Sequence, residues 1–520
     1  MIDSCAQWAS TCLPPGPASW VEEAPAPLGF PFRAKHLVKG PVVANRVRLT
    51  VVAALALLNV FALGAGVAVA ALLPARLALW QVPRVATVRI AAPAAVLTPA
   101  VSAGSLPTSQ GLASELAPLI ASRSLGPHVG VVVTDLASGK VLFARAAATP
   151  ATPASSAKVA TAVAALAVLG PAARFTTRVV HGSTPGSVIL VGGGDPTLAA
   201  GRVPAADYPQ PATLAPLARQ TARSLRAHHQ RSVRLGYDVS LYTGPPMAPG
   251  WTTSYVTTGN VTPITSLEVD QGRLTASGRP EDADNPVNFR PRSLTPAAGA
   301  AASFASSLRA QGIRVLGGVS ATTAPKGAAT IASVHSPYLS AIVGWMLRES
   351  NNVIAENLAR QVALRIGRPA SFAGAAAAVT AVAARLGVGS GIHLVDGSGL
   401  SPRDRITPMA LAGLVRVAGG GRQAALRAAI TGMPVAGFSG TLAPGQSVFG
   451  HFGPAALGTV QAKTGNLTRV VSLAGIVSDA SGRLLAFAFM ADRLPGGQLV
   501  HAAAVIDAMA TALAGCGCRS

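Results

Sequence analysis

The chain has 520 residues and a formal charge of +22, from 42 basic and 20 acidic side chains. This length exceeds that of one ordinary domain and allows a large buried core. The positive charge favours anionic partners such as phospholipid headgroups or cell-wall polymers, although an Ala- and Arg-rich composition produces the same balance without any partner. Nucleic acid is not expected as a partner, because no basic run is interleaved with aromatic residues and no zinc-finger spacing occurs.

The N-terminal region predicts attachment to a membrane. Residues 1–48 are Pro-rich with basic side chains near their end, and indicate a cytoplasmic basic tail. Residues 49–73 carry no charge and are long enough to cross a bilayer, either as a transmembrane anchor or as a cleaved signal. The preceding basic residues place the N-terminus in the cytoplasm and the rest of the chain outside. Residues 74–104, rich in Ala, Pro and Val, are expected to be a linker.

After the linker, the pattern becomes that of a globular domain. Residues 111–123 predict a helix, and residues 129–135 predict a strand that returns through a turn as residues 141–144. An Ala-rich stretch, residues 155–169, predicts another helix, introduced by Pro153.

The first candidate site lies at the start of this second helix. Ser155 and Lys158 are three residues apart and share one helix face. Taken alone, Ser155 would be read as a helix N-cap. A serine becomes a nucleophile when a nearby base accepts its proton, and burial or a neighbouring positive charge can lower a lysine pKa enough for that role. We therefore expect Ser155 to be the nucleophile and Lys158 its base; Ser156 is the weaker candidate, because Val159 stands where its lysine would be.

The middle of the chain predicts an inserted domain. Residues 199–337 contain short strands with many turn signals, and they separate two parts of a mixed α/β pattern. We expect them to form a mainly β insertion. The catalytic domain would then comprise residues 105–198 and 338–515.

A second motif, Ser350-Asn351-Asn352, lies between two predicted helices, residues 339–349 and 353–366. A loop between two helices can direct side chains into a cleft. We expect Ser350 to carry a proton to the departing amine, and Asn352 to hydrogen-bond Lys158 and the substrate backbone.

A third motif, Lys463-Thr464-Gly465, ends a predicted strand, residues 458–464. Two more strands, residues 470–477 and 484–491, and an apolar helix, residues 498–514, complete the predicted C-terminal part.

The side chains of this third motif suit an anionic substrate. Lys463 and Thr464 offer a charge and a hydroxyl to a carboxylate, and Gly465 would let the substrate lie close to the backbone. The backbone N–H groups of Ser155 and Asn466 would form an oxyanion hole.

Neither a metal nor another cofactor is predicted. The nine histidines show no metal-binding spacing. Residues 396–399 are more simply a polar turn than a cation site, and residues 192–194 lack the Lys and Ser/Thr of a phosphate-binding loop.

In this order, the three motifs resemble those of the D-alanyl-D-alanine carboxypeptidase/endopeptidase family, the class C low-molecular-mass penicillin-binding proteins. The first two motifs begin 195 residues apart, at Ser155 and Ser350, which leaves room for the insertion of that family. Further segments share the resemblance: GGGDPTL at 192–198, PGW at 249–251, DGSGLS at 396–401, RITP at 405–408 and PVAG at 434–437.

The resemblance implies an α/β (α+β) fold: a β-lactamase/transpeptidase-like serine acyltransferase domain interrupted by the mainly β insertion, with an N-terminal transmembrane helix. It implies that Ser155 attacks the bond between two D-alanines of a peptidoglycan stem peptide, without a cofactor, and that water hydrolyses the acyl-enzyme. The same site would cut cross-links, and β-lactams such as penicillin would acylate it. The protein would reside in the bacterial cell membrane with its catalytic domain outside, or be secreted or periplasmic if residues 49–73 are cleaved.

Two departures from the family pattern leave other functions open. Asn466 replaces the usual Ser or Thr, and residues 252–255 (TTSY) lack the acidic residue that often meets the peptide amino group. A membrane-anchored penicillin-binding sensor or wall-binding protein with little turnover is one alternative. A β-lactamase is less favoured, because the chain has no E-x-x-L-N sequence.

Overall fold

The computed structural model of the protein describes residues 104–274 and 291–518. The predicted tail and membrane segment lie outside these residues, as does the predicted linker except for its last residue. Over the described ranges, no helix combines the length and the apolar character needed to span a bilayer.

The described chain contains both helices and strands, in a mixed order. The helices are α1 (Ser109–Ile120), α2 (Lys158–Leu169), α3 (Leu214–Ala227), α4 (Ser254–Thr257), α5 (Pro296–Ala310), α6 (Leu339–Arg348), α7 (Asn352–Arg365), α8 (Phe372–Arg385), α9 (Pro408–Gly419), α10 (Ala428–Thr431) and α11 (Leu499–Gly515). The strands are β1 (Val129–Asp135), β2 (Val141–Arg145), β3 (Thr176–His181), β4 (Ser187–Val191), β5 (Ser232–Asp238), β6 (Arg314–Val315), β7 (Ser320–Ala321), β8 (Thr330–His335), β9 (Ile392–His393), β10 (Arg405–Ile406), β11 (Val460–Leu467), β12 (Val470–Ser478) and β13 (Leu484–Ala491).

The main lobe, residues 104–174 and 337–518, is built on a five-stranded antiparallel sheet in the order β11-β12-β13-β1-β2. Strand β1 pairs with β13 along its whole length, from Val129 opposite Ala491 to Asp135 opposite Leu485. The first and last strands of the described chain therefore pair within one sheet, and the two predicted hairpins that contain them are confirmed.

Helices cover both faces of this sheet. On one face, small side chains such as Ala474, Ala486 and Ala488 pack in one cluster with residues of α2, α7 and α9. On the other face, Phe487 and Phe489 pack against α1 and α11. Because the first face carries alanines, helices can approach it closely. The main lobe therefore has three layers, with one buried cluster on each face of the sheet.

The inserted lobe, residues 175–274 and 291–336, is an α/β layer structure and not the mainly β domain that the sequence predicts. Its sheet has the order β6-β5-β4-β3-β8, with β7 beside β5. Helices α3 and α5 pack on one face of this sheet around Phe304 and Leu217. Strand β4 runs parallel to β5, and a parallel pair needs a long crossover, which α3 provides.

The insertion also begins earlier than the predicted boundary at residue 199. Strands β3 and β4 precede that boundary, yet both hydrogen-bond within the inserted sheet, β3 to β8 and β4 to β5. The sequence shows two short apolar strands, and only the pairing assigns them to a lobe.

Candidate active site

Ser155 lies on a short 3-10 turn, Ala154–Ala157, that leads into α2. The predicted helix therefore begins at Lys158, three residues later than expected. The side chain of Lys158 is fully buried, and its Nζ lies 2.8 Å from Ser155 Oγ. The structure thus joins the predicted nucleophile to its predicted base.

Two further oxygens surround the Lys158 ammonium. Nζ donates to Asn352 Oδ1 at 2.7 Å and to the Ser398 carbonyl at 2.7 Å. Burial lowers the pKa of Lys158 to about 7, against the opposing effect of nearby carboxylates, of which Asp396 is the largest. A substantial fraction of this lysine is therefore neutral near pH 7 and able to accept a proton.

A second serine and lysine lie across the cleft. Lys463 Nζ donates to Ser350 Oγ at 2.9 Å and to the Thr464 carbonyl at 2.8 Å. Burial and the positive charge of Lys158 hold the pKa of Lys463 well below its usual value, against the opposing carboxylate of Glu349. The two lysines are thus electrostatically coupled.

The two asparagines of the second motif are held by different partners. Asn352 Nδ2 donates to the Asn260 carbonyl at 2.9 Å, which leaves its Oδ1 directed at Lys158. Asn351 Oδ1 caps α7 by accepting from the Ile354 N–H at 3.0 Å. The motif is therefore a helix N-terminus whose side chains are fixed by hydrogen bonds.

Gly465 brings β11 against the nucleophile turn. A Cβ at this position would lie 2.5 Å from the Pro153 carbonyl oxygen and 2.9 Å from the Ser156 nitrogen, closer than real Cβ contacts. The Ser156 hydroxyl donates to the same Pro153 carbonyl at 2.7 Å, as does the Ser472 hydroxyl at 2.6 Å. Ser156 thus stabilises the contact between β11 and the turn, while Ser155 lies beside Lys158. Gly465 is needed for this packing, in addition to the close approach of a substrate that the sequence predicts.

The remaining predicted residues lie on the same strand. Thr464 is almost completely buried, with its hydroxyl 2.7 Å from that of Thr441. Asn466 is exposed and stands opposite Val471 in the hairpin.

The role of the turn that follows Asp396 is not evident from the sequence. This buried carboxylate accepts from the Gly399 N–H at 2.7 Å and the Ser401 N–H at 2.6 Å, and also from the Trp251 indole at 2.8 Å. The turn is polar, as predicted, and it presents the Ser398 carbonyl to Lys158. The DGSGLS segment at 396–401 indicates that this turn is part of the family pattern. It does not indicate that the Ser398 carbonyl is the atom that contacts Lys158.

Two buried lysines, each hydrogen-bonded to its own serine, with an asparagine amide on the first of them, are the arrangement of the penicillin-recognising serine hydrolases. The sequence matches the D-Ala-D-Ala carboxypeptidase 3 (S13) family over residues 112–289 and 278–514. The chain belongs to this family, and the resemblance noted from the sequence is confirmed.

Individual relatives agree with this assignment. Carboxypeptidase DacB of Mycolicibacterium smegmatis is 38% identical over 416 residues, covering 79% of this chain and 85% of that protein. Carboxypeptidase Rv3627c of Mycobacterium tuberculosis is 36% identical over 450 residues, covering 84% and 90%. The crystal structure of penicillin binding protein 4 (dacB) from Haemophilus influenzae has the same fold, with a TM-score of 0.60 at 22% identity, over 77% of this chain and 98% of that one.

Proposed function

We propose that this serine-type D-Ala-D-Ala carboxypeptidase forms its acyl-enzyme on Ser155 and acts on peptidoglycan stem peptides. The observation that carries the residue assignment is the 2.8 Å contact between Ser155 Oγ and the Nζ of the fully buried Lys158. We also propose that the same site cuts peptide cross-links as an endopeptidase, since both reactions attack a D-alanyl carbonyl.

Acylation begins with proton transfer. Neutral Lys158 accepts the Ser155 proton as Oγ attacks the carbonyl carbon of the penultimate D-alanine. The carbonyl oxygen becomes an oxyanion, which the backbone N–H groups of Ser155 and Asn466 stabilise by about 3–4 kcal/mol. The proton then sits on Lys158, and a tetrahedral intermediate is bound to Ser155.

Release of D-alanine requires a proton on the departing nitrogen. Ser350 donates its hydroxyl proton to that amine and recovers a proton from Lys463, because its Oγ lies 2.9 Å from Lys463 Nζ. Lys463 in turn takes the proton that Lys158 gained from Ser155, so Lys158 is neutral again. The C–N bond breaks, and the acyl group remains on Ser155. Water then attacks the ester with Lys158 as base, which restores the serine and releases the shortened peptide.

The third motif and Asn352 bind the substrate. Lys463 and Thr464 attract the terminal carboxylate, Asn352 contacts the peptide backbone, and Gly465 and Asn466 line the path beside β11. A β-lactam carries a carboxylate and a reactive amide in a similar arrangement, so it would acylate Ser155 and leave slowly.

For location, we propose that residues 49–73 anchor the protein in the bacterial cell membrane with the N-terminus in the cytoplasm and the catalytic lobe outside. The uncharged length of this segment and the basic residues before it support the proposal. Cleavage would instead give a secreted or periplasmic enzyme. Mass spectrometry of the mature N-terminus distinguishes the two, and recovery of an intact chain in the cytosol would contradict both.

The enzymatic proposal is tested with the purified full-length protein. It should release D-alanine from a stem pentapeptide and should be labelled by penicillin, and Ser155→Ala should lose both activities. Ser156→Ala is the matched control, because it removes a neighbouring hydroxyl that serves packing, and it should still be labelled.

Other outcomes point to the other functions. Labelling of Ser155 without D-alanine release would indicate a sensor, and rapid repeated hydrolysis of penicillin would indicate a β-lactamase. Labelling of Ser155→Ala would show that another residue is the nucleophile.

A further inference from the structure

The inserted lobe contributes directly to the second motif. We call residues 259–271 the seam segment, because they run from the inserted lobe along the start of α7. The Asn260 carbonyl accepts from Asn352 Nδ2 at 2.9 Å, and Gln271 Oε1 accepts from Asn351 Nδ2 at 2.6 Å. Both asparagines of the motif therefore depend on partners that lie far from them in sequence and outside the main lobe.

Gln271 is held in an unusual backbone conformation. It has φ +57° and ψ 32° and is only 2% exposed. A residue with a side chain avoids this left-handed region, where it costs on the order of 1 kcal/mol or more, unless its surroundings fix it there. Such strain is found where a side chain has to be placed accurately.

Arg292 braces both ends of the seam segment. Its Nη1 donates to the Gln271 carbonyl at 2.8 Å, and its Nε donates to the Gly259 carbonyl at 2.7 Å. The guanidinium is buried. One rigid, planar group thus sets the separation between Asn260 and Gln271, the two points that contact the motif.

Gln271 is connected to the reacting groups through Asn351 and the two residues beside it in the chain. Asn351 uses its amide nitrogen on Gln271 and its amide oxygen as the cap of α7. Ser350, the preceding residue, has φ +55°, so its placement on Lys463 depends on a backbone that is itself constrained. Asn352, the next residue, holds Lys158.

We propose that Gln271, braced by Arg292, is a positioning residue for acylation: it fixes Asn351 and thereby sets Ser350 against Lys463 and Asn352 against Lys158. This inference rests on the proposed function of that site. It assigns the inserted lobe a part in catalysis, although the catalytic and substrate-binding residues proposed above all belong to the main lobe.

The chain supplies a matched control in Gln361. Its Nε2 donates to the Gly193 carbonyl at 3.0 Å and to the Tyr242 hydroxyl at 3.3 Å, so it too joins α7 to the inserted lobe. Gln361 lies more than two helical turns beyond the motif and contacts neither asparagine. Its replacement tests whether any lost bond between the lobes is enough to slow the reaction.

The experiment measures the rate of acylation by labelled penicillin, over a range of pH, in the full-length protein. Gln271→Met keeps the length of the side chain but removes the acceptor, and should slow acylation about tenfold, the effect of one lost hydrogen bond. Gln271→Glu retains an acceptor oxygen and should stay within about threefold of the unsubstituted protein. Gln361→Met should leave the rate unchanged.

The pH profile separates positioning from general destabilisation. When Asn352 loosens, Lys158 loses a hydrogen-bond acceptor that favours its charged form, and the pKa of Lys158 falls. The rise of the acylation rate with pH should therefore occur at lower pH in Gln271→Met and not in Gln361→Met. If Gln271→Met does not fold, Gln271→Asn, whose oxygen is one methylene short of Asn351, should show the same slowing and the same shift.

Three results would overturn the inference. An unchanged acylation rate in both Gln271→Met and Gln271→Asn would contradict the positioning role of Gln271 and leave the proposed function intact. Equal slowing by Gln361→Met assigns the effect to docking of the lobes. Absence of acylation in the unsubstituted protein removes the proposed function and this inference together.

Discussion

The two sides of the cleft are held in place by different kinds of contact. The nucleophile turn is fixed by backbone packing within the main lobe, where Gly465 and Gly399 approach it so closely that a Cβ at either position would collide with its carbonyls. The second motif is fixed by hydrogen bonds that its own side chains donate, from Asn351 to Gln271 Oε1 and from Asn352 to the Asn260 carbonyl. Close packing tolerates almost no change of side-chain volume, whereas a hydrogen bond can be weakened in steps.

Lys158 contacts both sides of the cleft, so its removal should have the largest effect. Lys158→Met keeps the buried volume but removes the base, and should slow acylation about 10³-fold. In the unsubstituted protein the rate should rise as the pH increases through about 7, because burial has lowered the lysine pKa to that value and only the neutral amine accepts a proton.

The measurement is the rate of labelling by penicillin from pH 5 to 9. Lys140→Met, on an exposed residue of the same type, is the control and should leave the profile unchanged. A profile in Lys158→Met that still rises through pH 7 at nearly the original rate would show that Lys158 is not the base.

On the side of the second motif, α7 also carries a buried ion pair. Arg360 Nη1 lies 3.6 Å from Glu356 Oε2, and both side chains are almost fully buried. Arg360→Met leaves the carboxylate without its partner and should lower the free energy of unfolding by about 3–4 kcal/mol at pH 8.

The loss should be smaller at pH 6. Burial already raises the pKa of Glu356 to about 7, and removal of the Arg360 charge raises it further, so that the carboxyl is neutral in the folded variant at pH 6. Urea unfolding at the two pH values measures this difference. The exposed Arg365→Met is the control and should change stability by less than about 0.5 kcal/mol. Equal losses at both pH values would contradict the proposed cause.

On the nucleophile side, Gly465→Ala tests the packing contact. The new methyl group should push β11 away from the turn, and a displacement of this kind should slow acylation about 100-fold while the protein stays folded. Gly299→Ala is the control, since a Cβ there meets nothing within 4 Å and lies on a helix surface. Near-normal acylation in Gly465→Ala would show that the close approach is not needed for the reaction.

The turn at Asp396 should give the smallest effect. Asp396→Asn loses one acceptor, which loosens the Ser398 carbonyl on Lys158, and should slow acylation about tenfold. It also removes a carboxylate that raises the pKa of Lys158, so the rise of the acylation rate with pH should occur at lower pH. Labelling over the same pH range measures both effects, with the exposed Asp207→Asn as control; a shift to higher pH would contradict this interpretation.

Much of the main lobe could be predicted from sequence because its signals are local. The strand alternation of β1, β12 and β13 and the apolar helix α11 appear in short windows of the chain. The inserted lobe could not be assigned in this way, since β3 and β4 acquire their place only by pairing with β5 and β8. A parallel pairing leaves no turn signature between its two strands.

By itself, the sequence determined which chemical groups are present and in what order: the serine and lysine at 155 and 158, the serine and asparagine at 350 and 352, and the lysine, threonine and glycine at 463 to 465. Only the tertiary structure decided that Lys158 also meets the Ser398 carbonyl, and that Gln271 of the inserted lobe holds Asn351. The physical reason is that nucleophile, base and relay are side chains whose types are encoded locally, whereas carbonyls and positioning contacts act through distances between segments remote in sequence.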